Sequence, residues 1–283
     1  MKNVLIPTDF SENSMNAIRY ALELFKYEKT EFYILNAYED EVYSNHELLE
    51  EEPFEEVIEM AKNRSQLKLD LLLEEIQTLA PHPRFKYHMV SAYNSLIDEV
   101  DKIVIGKDID IIVMGTKGES YAKTYVFGSN TLQVLKYVSC PVLVIPEFYE
   151  YKQPKHVLFA SNYLIPYRRR EIKLLSTLLS PFRSIIDMLY ISKSDHLSKR
   201  QKDNKAFLEE GLEKLQFKFK HIDSKNVSKA ISNYASENEM DLLVMVNTRH
   251  SFLEDMLFRS KVDDICLHTN IPFLALQNIR RNI

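Results

Sequence analysis

At 283 residues, 45% hydrophobic and 27% charged, the chain holds enough apolar material for two packed cores. No apolar run approaches the roughly 20 residues of a membrane span, and Met1–Pro7 is too short in apolar residues for a signal peptide. The net charge of −5 conceals an asymmetry: residues 1–150 carry a net −12 and residues 151–283 a net +7, which suits attraction between two packed halves or different partners for each. The positive excess is spread along the second half with no recognised motif beside it, so nucleic-acid binding is disfavoured. Cys140 and Cys266 sit in no metal or redox spacing, so a reduced, cytoplasmic setting is expected.

Apolar runs and helical periodicity alternate along the chain. Strands are predicted near 3–8, 31–37, 85–91, 110–115 and 141–146, with helices near 12–27, 54–79, 95–107 and 130–139. Residues 39–59 hold ten acidic residues and no Lys or Arg, which reads as a solvated loop and helix start. A linker over 147–155, with Pro154, follows. The second set of strands is predicted near 156–161, 185–191, 217–222, 241–246 and 272–277, with helices near 168–180, 197–215, 227–238 and 260–269. Arg168–Arg170 opens a helix, where the dipole disfavours cations. It reads as surface charge, as a pairing surface for acids of the first half, or as a partner contact.

The chain is two copies of one unit. Asn3-Val-Leu-Ile-Pro-Thr-Asp9 matches His156-Val-Leu-Phe-Ala-Ser-Asn162, and Asp110-Ile-Ile-Val-Met114 matches Asp241-Leu-Leu-Val-Met245. The first copy is longer, and its surplus falls most simply around 39–60. Strands separated by helices make a parallel sheet covered on both faces. The expected fold is therefore α/β: two tandem Rossmann-like, doubly wound domains, 1–147 and 155–283, each a five-stranded parallel sheet of order 3-2-1-4-5. In that order the crevice lies between strands 1 and 4, outside their C-terminal ends. Pro7-Thr8-Asp9 and Met114-Gly115 are predicted to meet there.

Three of the five glycines fall in one stretch, Gly115-Thr-Lys-Gly118-(nine residues)-Gly128-Ser129. This loop joins a buried strand to a helix start. Glycine allows positive φ and close backbone approach, and the N–H groups of a helix start favour an anion. Lys117 and Lys123 lie inside the loop and either reach phosphate or are ordinary surface lysines. Asp9 reads as a ligand contact or as a turn residue, with Ser11 an equal capping candidate. There is no Walker A sequence, no Gly-x-Ser-x-Gly elbow and no His-Glu-x-x-His, so hydrolytic and metal chemistry lack local support.

The Gly-x2-Gly-x9-Gly-Ser pattern, with Asp9 ending the first strand, resembles the ATP-binding branch of the universal stress protein family. The resemblance spans essentially the whole chain as a tandem pair. It implies that Pro7, Thr8 and Asp9 line an adenosine pocket, with Asp9 near ribose or base and Ala37 beside adenine. Gly115 and Gly118 would let the loop wrap the phosphates, with Met114 and Thr116 flanking. Gly128, Ser129 and Asn130 would offer donors at the helix start, with Thr131 close behind. The family often binds adenine nucleotide with little turnover, acts in stress response, and pairs through its last strands as dimers or pseudo-dimers. Bound ATP would bring its own Mg²⁺. The implied function is that of an ATP-binding stress-response or signalling protein gated by loop 115–128. A nucleotide-independent scaffold and a slow enzyme on adenine nucleotides are the alternatives. No catalytic residue is assigned, and a further homodimer is left open.

The second copy departs from the pattern. Asn162 replaces Asp9, Val246 replaces Gly115, Arg249 replaces Gly118 and Arg259 replaces Gly128, while Ser260 survives. A β-branched residue suits neither positive φ nor close phosphate approach. The second half is therefore expected to bind no ATP and to supply the pseudo-dimer partner. Arg249 or Arg259 would alternatively fill the phosphate position, closing the site or accepting another anion.

Overall fold

The computed structural model describes residues 1–116, 127–247 and 270–278. The elements run β1 (Lys2–Pro7), α1 (Glu12–Leu24), β2 (Thr30–Ala37), α2 (Glu39–Ser44), α3 (His46–Glu51), α4 (Phe54–Leu79), β3 (Phe85–Ala92), α5 (Leu96–Gly106), β4 (Ile111–Gly115), α6 (Ser129–Tyr137) and β5 (Val142–Ile145). They continue with β6 (His156–Ala160), α7 (Arg169–Leu179), a 3-10 turn (Ser180–Phe182), β7 (Ile185–Ile191), α8 (Lys199–Gly211), β8 (Gln216–Ile222), α9 (Val227–Glu237), β9 (Leu242–Asn247) and β10 (Phe273–Gln277). The helix expected over 260–269, together with Arg249, Arg259, Gly118, Lys117 and Lys123, lies outside the described residues.

Both halves adopt the strand order expected from sequence. They merge into one ten-stranded sheet, β3-β2-β1-β4-β5-β10-β9-β6-β7-β8. Pairing is parallel within each half and antiparallel at the junction, where Phe273, Leu274 and Ala275 face Val144, Leu143 and Val142. Period-2 alternation sends Val4 and Ile6 to a core beneath α1 and α4, and Leu5 to a second core beneath α5 and α6. Each core continues across the junction, the first under α7 and α8, the second under α9. The strand side chains of the junction, Val142–Ile145 and Phe273–Leu276, are at most 1% exposed. Burial of each large aliphatic is worth about 1.5–3 kcal/mol, so the junction is packed like a core.

The repeat extends to backbone details. Asp110 Oδ2 accepts from Asn3 N at 3.0 Å, and Asp241 Oδ2 accepts from His156 N at 2.8 Å. The shared Asp of the two strand motifs therefore latches strand 4 to strand 1 in each half. Left-handed residues recur at matching places, Phe10 with Tyr163 and Asp108 with Glu239. The longer first half is explained by residues 38–84, which replace the shorter 192–215 segment with α2, α3 and a 26-residue α4. Of the acidic stretch, Glu39–Ser44 and His46–Glu51 form two short helices where a loop was expected, while its last residues open α4, the expected helix start. Val42, Val57, Ala61 and Tyr38 form a satellite core under it, and Glu41 pairs with Arg64.

Polar contacts also tie the halves together. Asn247 Nδ2 and Gln277 Nε2 both donate to Leu135 O in α6 at 2.9 Å, and Asn247 Nδ2 lies 2.9 Å from Gln277 Oε1. Arg170 pairs with Asp108 at 2.9 Å, so part of the basic helix start does meet an acid of the first half, although an exposed pair contributes little. Tyr149 and Tyr151 in the linker pack on Tyr20 of α1, and Asn16 Nδ2 donates to Tyr149 O at 3.2 Å. Replacing Asn247 with Ala strips the buried Gln277 Oε1 and Leu135 O of a shared donor. We expect a loss of about 1–3 kcal/mol in denaturant unfolding, with the same variant weakening hydrogen-exchange protection in α6.

Candidate functional site

The site builds from strand ends. β1 pairs β2 with Pro7 opposite Leu35, and pairs β4 with Leu5 opposite Ile112. Continuing that register sets Pro7 level with Met114 and Thr8 level with Gly115, with Ala37 two residues further along the neighbouring strand. The crevice between β1 and β4 is the point where the strand order reverses, as expected.

The turn leaving β1 is held by its own side chains. Thr8 Oγ1 accepts from Phe10 N at 3.0 Å and meets Ser14 Oγ at 2.9 Å. Asp9 Oδ1 accepts from Ser11 N at 3.1 Å and from Ser11 Oγ at 2.6 Å. Ser11 in turn caps α1, accepting from Ser14 N. Of the two sequence readings of Asp9, the turn role is therefore real, and Ser11 is the cap. Phe10 takes φ 65° to complete the turn, a conformation that costs a non-glycine residue on the order of 1 kcal/mol or more.

Gly115 ends β4. No glycine among the described residues has a positive φ, so of the two reasons for a glycine here, close approach applies. A Cβ at Gly115 would lie 2.6 Å from Asn13 Nδ2, and Asn13 is buried in α1. The ends of the glycine loop are drawn together beyond this point. Gly128 N donates to Thr116 O at 2.6 Å, and Thr131 Oγ1 donates to Gly115 O at 2.9 Å. Thr116, Gly128 and Thr131 are buried, Ser129 is half-buried and Asn130 is exposed.

The start of α6, like those of α2, α4 and α7, has no side-chain cap, and it follows the crevice strand β4. Ser11, Ser95, Ser198 and Asn226 accept from the first-turn amides of α1, α5, α8 and α9. α6 has Gly128 at its cap position and no side-chain cap. Its first-turn N–H groups and the positive end of its dipole therefore stand beside Gly115 at the strand end. Such an arrangement receives an anion.

A profile of the universal stress protein family matches residues 1–146 and 180–277. The chain belongs to the universal stress protein family. It is 29% identical to Universal stress protein MJ0531 of Methanocaldococcus jannaschii over 154 residues, which are 54% of this chain and 84% of that one. It is 30% identical to Universal stress protein MJ0577 of the same organism over 161 residues, 51% of this chain and 94% of that one. Among solved structures, a universal stress protein from Archaeoglobus fulgidus superposes with a TM-score of 0.69. That match covers 97% of this chain and 96% of the other at 17% identity, a likeness of fold.

In this universal stress protein the structure gathers Pro7, Thr8, Met114, Gly115, Thr116, Gly128, Ser129 and Thr131, with Ala37 on the adjoining strand. Sequence reasoning passed over two asparagines. Asn13 fills the space beside Gly115. Asn36 Nδ2 donates to Thr8 O at 2.9 Å, while its buried Oδ1 has no hydrogen-bond partner among the described residues. Neither stands in a motif, although a polar residue near the end of an apolar strand was a signal for Asn36. No group of three or more His, Cys, Asp or Glu that could hold a metal occurs among the described residues. Replacing Gly115 with Ala is expected to cost about 1–3 kcal/mol by forcing Asn13 aside. Adding Asn13→Ala should return about 1 kcal/mol as a coupling energy in a double-mutant unfolding cycle; additive losses would mean that close approach is not what selects the glycine.

Proposed function

We propose that the first half binds ATP at the β1–β4 crevice, and that this universal stress protein is a nucleotide-gated stress-response or signalling module. We further infer two domains, 1–147 and 155–283, in a cytoplasmic setting. The observation that carries the reading is the uncapped start of α6 beside Gly115. The N–H groups of Ser129, Asn130 and Thr131 suit phosphate oxygens, and the missing Cβ at Gly115 keeps the loop backbone close to α1. Pro7, Thr8, Asp9, Ala37 and Met114 would bound the nucleoside. Thr8 and Thr131 spend their hydroxyls on Ser14 and Gly115 O, so both would act by shaping the wall. Asn36 Oδ1 is an unspent acceptor among the same strand ends.

Gating follows from the neck of the loop. The Thr116–Gly128 hydrogen bond anchors both ends of the segment carrying Gly118. ATP would shift that segment by binding one of its states more tightly than the other, with Mg²⁺ arriving on the nucleotide. Asp9, the nearest carboxylate of the turn, already holds Ser11, so we assign no catalytic base and expect little turnover. The second half, with Val246 at the Gly115 position, would bind no nucleotide.

Acid release from natively purified protein, followed by calorimetric titration with Mg·ATP, is expected to give about one nucleotide per chain. Gly118→Val should reduce affinity by at least roughly 100-fold, a loss of about 2.7 kcal/mol, with unfolding unchanged. Titration to a stoichiometry near two would refute the inactive second half. No binding at all would favour a nucleotide-independent scaffold, and rapid ADP formation would favour an enzyme.

A further inference from the structure

The second half repeats the crevice with different chemistry. β6 pairs β7 with Ala160 opposite Leu189, and pairs β9 with Leu158 opposite Leu243. Asn162, Ile191 and Val246 therefore occupy the places of Asp9, Ala37 and Gly115. The turn itself is conserved in geometry: Tyr163 N donates to Ser161 Oγ at 2.9 Å and Leu164 N to Asn162 Oδ1 at 3.0 Å, with Tyr163 at φ 55°. The scaffold is kept while all three exchanges remove charge or add apolar bulk.

A cavity of about 170 Å³ lies at this place. Leu189, Ile191, Met245 and Val246 line it from the sheet, and Val227 and Ile231 from α9. Asn226 caps α9, accepting from Lys229 N at 3.0 Å, as Ser95 caps α5 in the first half. The described lining carries no charged side chain, and desolvating an unpaired charge there would be costly. An apolar cavity of roughly 150 Å³ is large enough for one benzene ring.

The polar part of the lining is Asn162, whose Oδ1 is taken by Leu164 N, and a pair of hydroxyls. Ser161 Oγ and the Tyr167 hydroxyl bond to each other at the cavity wall. Burial pushes the Tyr167 hydroxyl up to about 12, so both groups keep their protons at neutral pH. Two hydroxyl protons serve one mutual bond, and whichever group donates, one O–H is left for an acceptor.

We propose that this cavity binds a compact, uncharged, mainly apolar small molecule, of single-ring or branched-aliphatic size, with one acceptor oxygen. Its binding is independent of the nucleotide site. A few oriented polar groups in an apolar wall are the usual make-up of such a site.

The test uses the full chain with ¹³C-labelled Ile and Val methyls, titrated with 4-fluorophenol, cyclohexanone and 3-methylbutanol. At least one probe should give saturable shifts at Ile191, Val227, Ile231 and Val246, with a Kd on the order of 1 mM or tighter. Saturating Mg·ATP and the Gly118→Val variant should leave that Kd unchanged. Ile231→Phe and Val246→Phe fill the cavity from opposite walls. Whichever keeps the remaining methyl spectrum should bind at least roughly tenfold more weakly. Absence of saturable shifts with all three probes overturns the proposal, as does unchanged affinity in a folded filling variant. Shifts of these same methyls by Mg·ATP in Gly118→Val would show a nucleotide site instead.

Discussion

The antiparallel pairing of β5 with β10 is the constraint on which the molecule depends. It turns two five-stranded sheets into one, and it makes both cores continuous across the chain. An edge strand left exposed at either place would be an open template for other chains. Here each half covers the other's edge. The same junction brings Asn247 and Gln277 against Leu135 O, so the second half holds the C-terminal part of α6 while the first half presents its N-terminus at the crevice. The second half thus bears on the position of the helix that starts at the first crevice.

The two crevices show which parts of a repeated unit are architecture and which are chemistry. The Asp110 and Asp241 latches, the paired left-handed residues and the side-chain-held turns recur with little change. They fix where the strand ends point. Around that frame a carboxylate becomes an amide, and glycine becomes valine. The uncapped start of α6 stands at one crevice, and a largely apolar cavity lies at the other.

Much of this was legible in the sequence because it rests on period. Apolar strands, the 26-residue amphipathic α4 and the offsets between copies all leave regular patterns, and handed crossovers leave few strand orders, among them the favoured 3-2-1-4-5 that the sheet adopts. What escaped depends on contact rather than pattern. α2 and α3 are six residues each, too short to show a helical period among ten acids, and they rest on a satellite core that only the tertiary fold creates. The glycine at 115 was expected for backbone freedom or close approach, and only the position of Asn13 decides between them. Asp9 shows a further limit: one carboxylate suits a turn and a ligand equally well until its partner Ser11 is seen.

The central claim is that the uncapped start of α6 is the anion-receiving end of the first crevice. Backbone amide ¹H–¹⁵N shifts on addition of Mg·ATP test it most directly. The account predicts the largest changes at Ser129, Asn130 and Thr131, saturating together, with Ala160–Asn162 and Val246 unmoved. Saturable binding that leaves those three amides in place, or moves the second crevice equally, would contradict it.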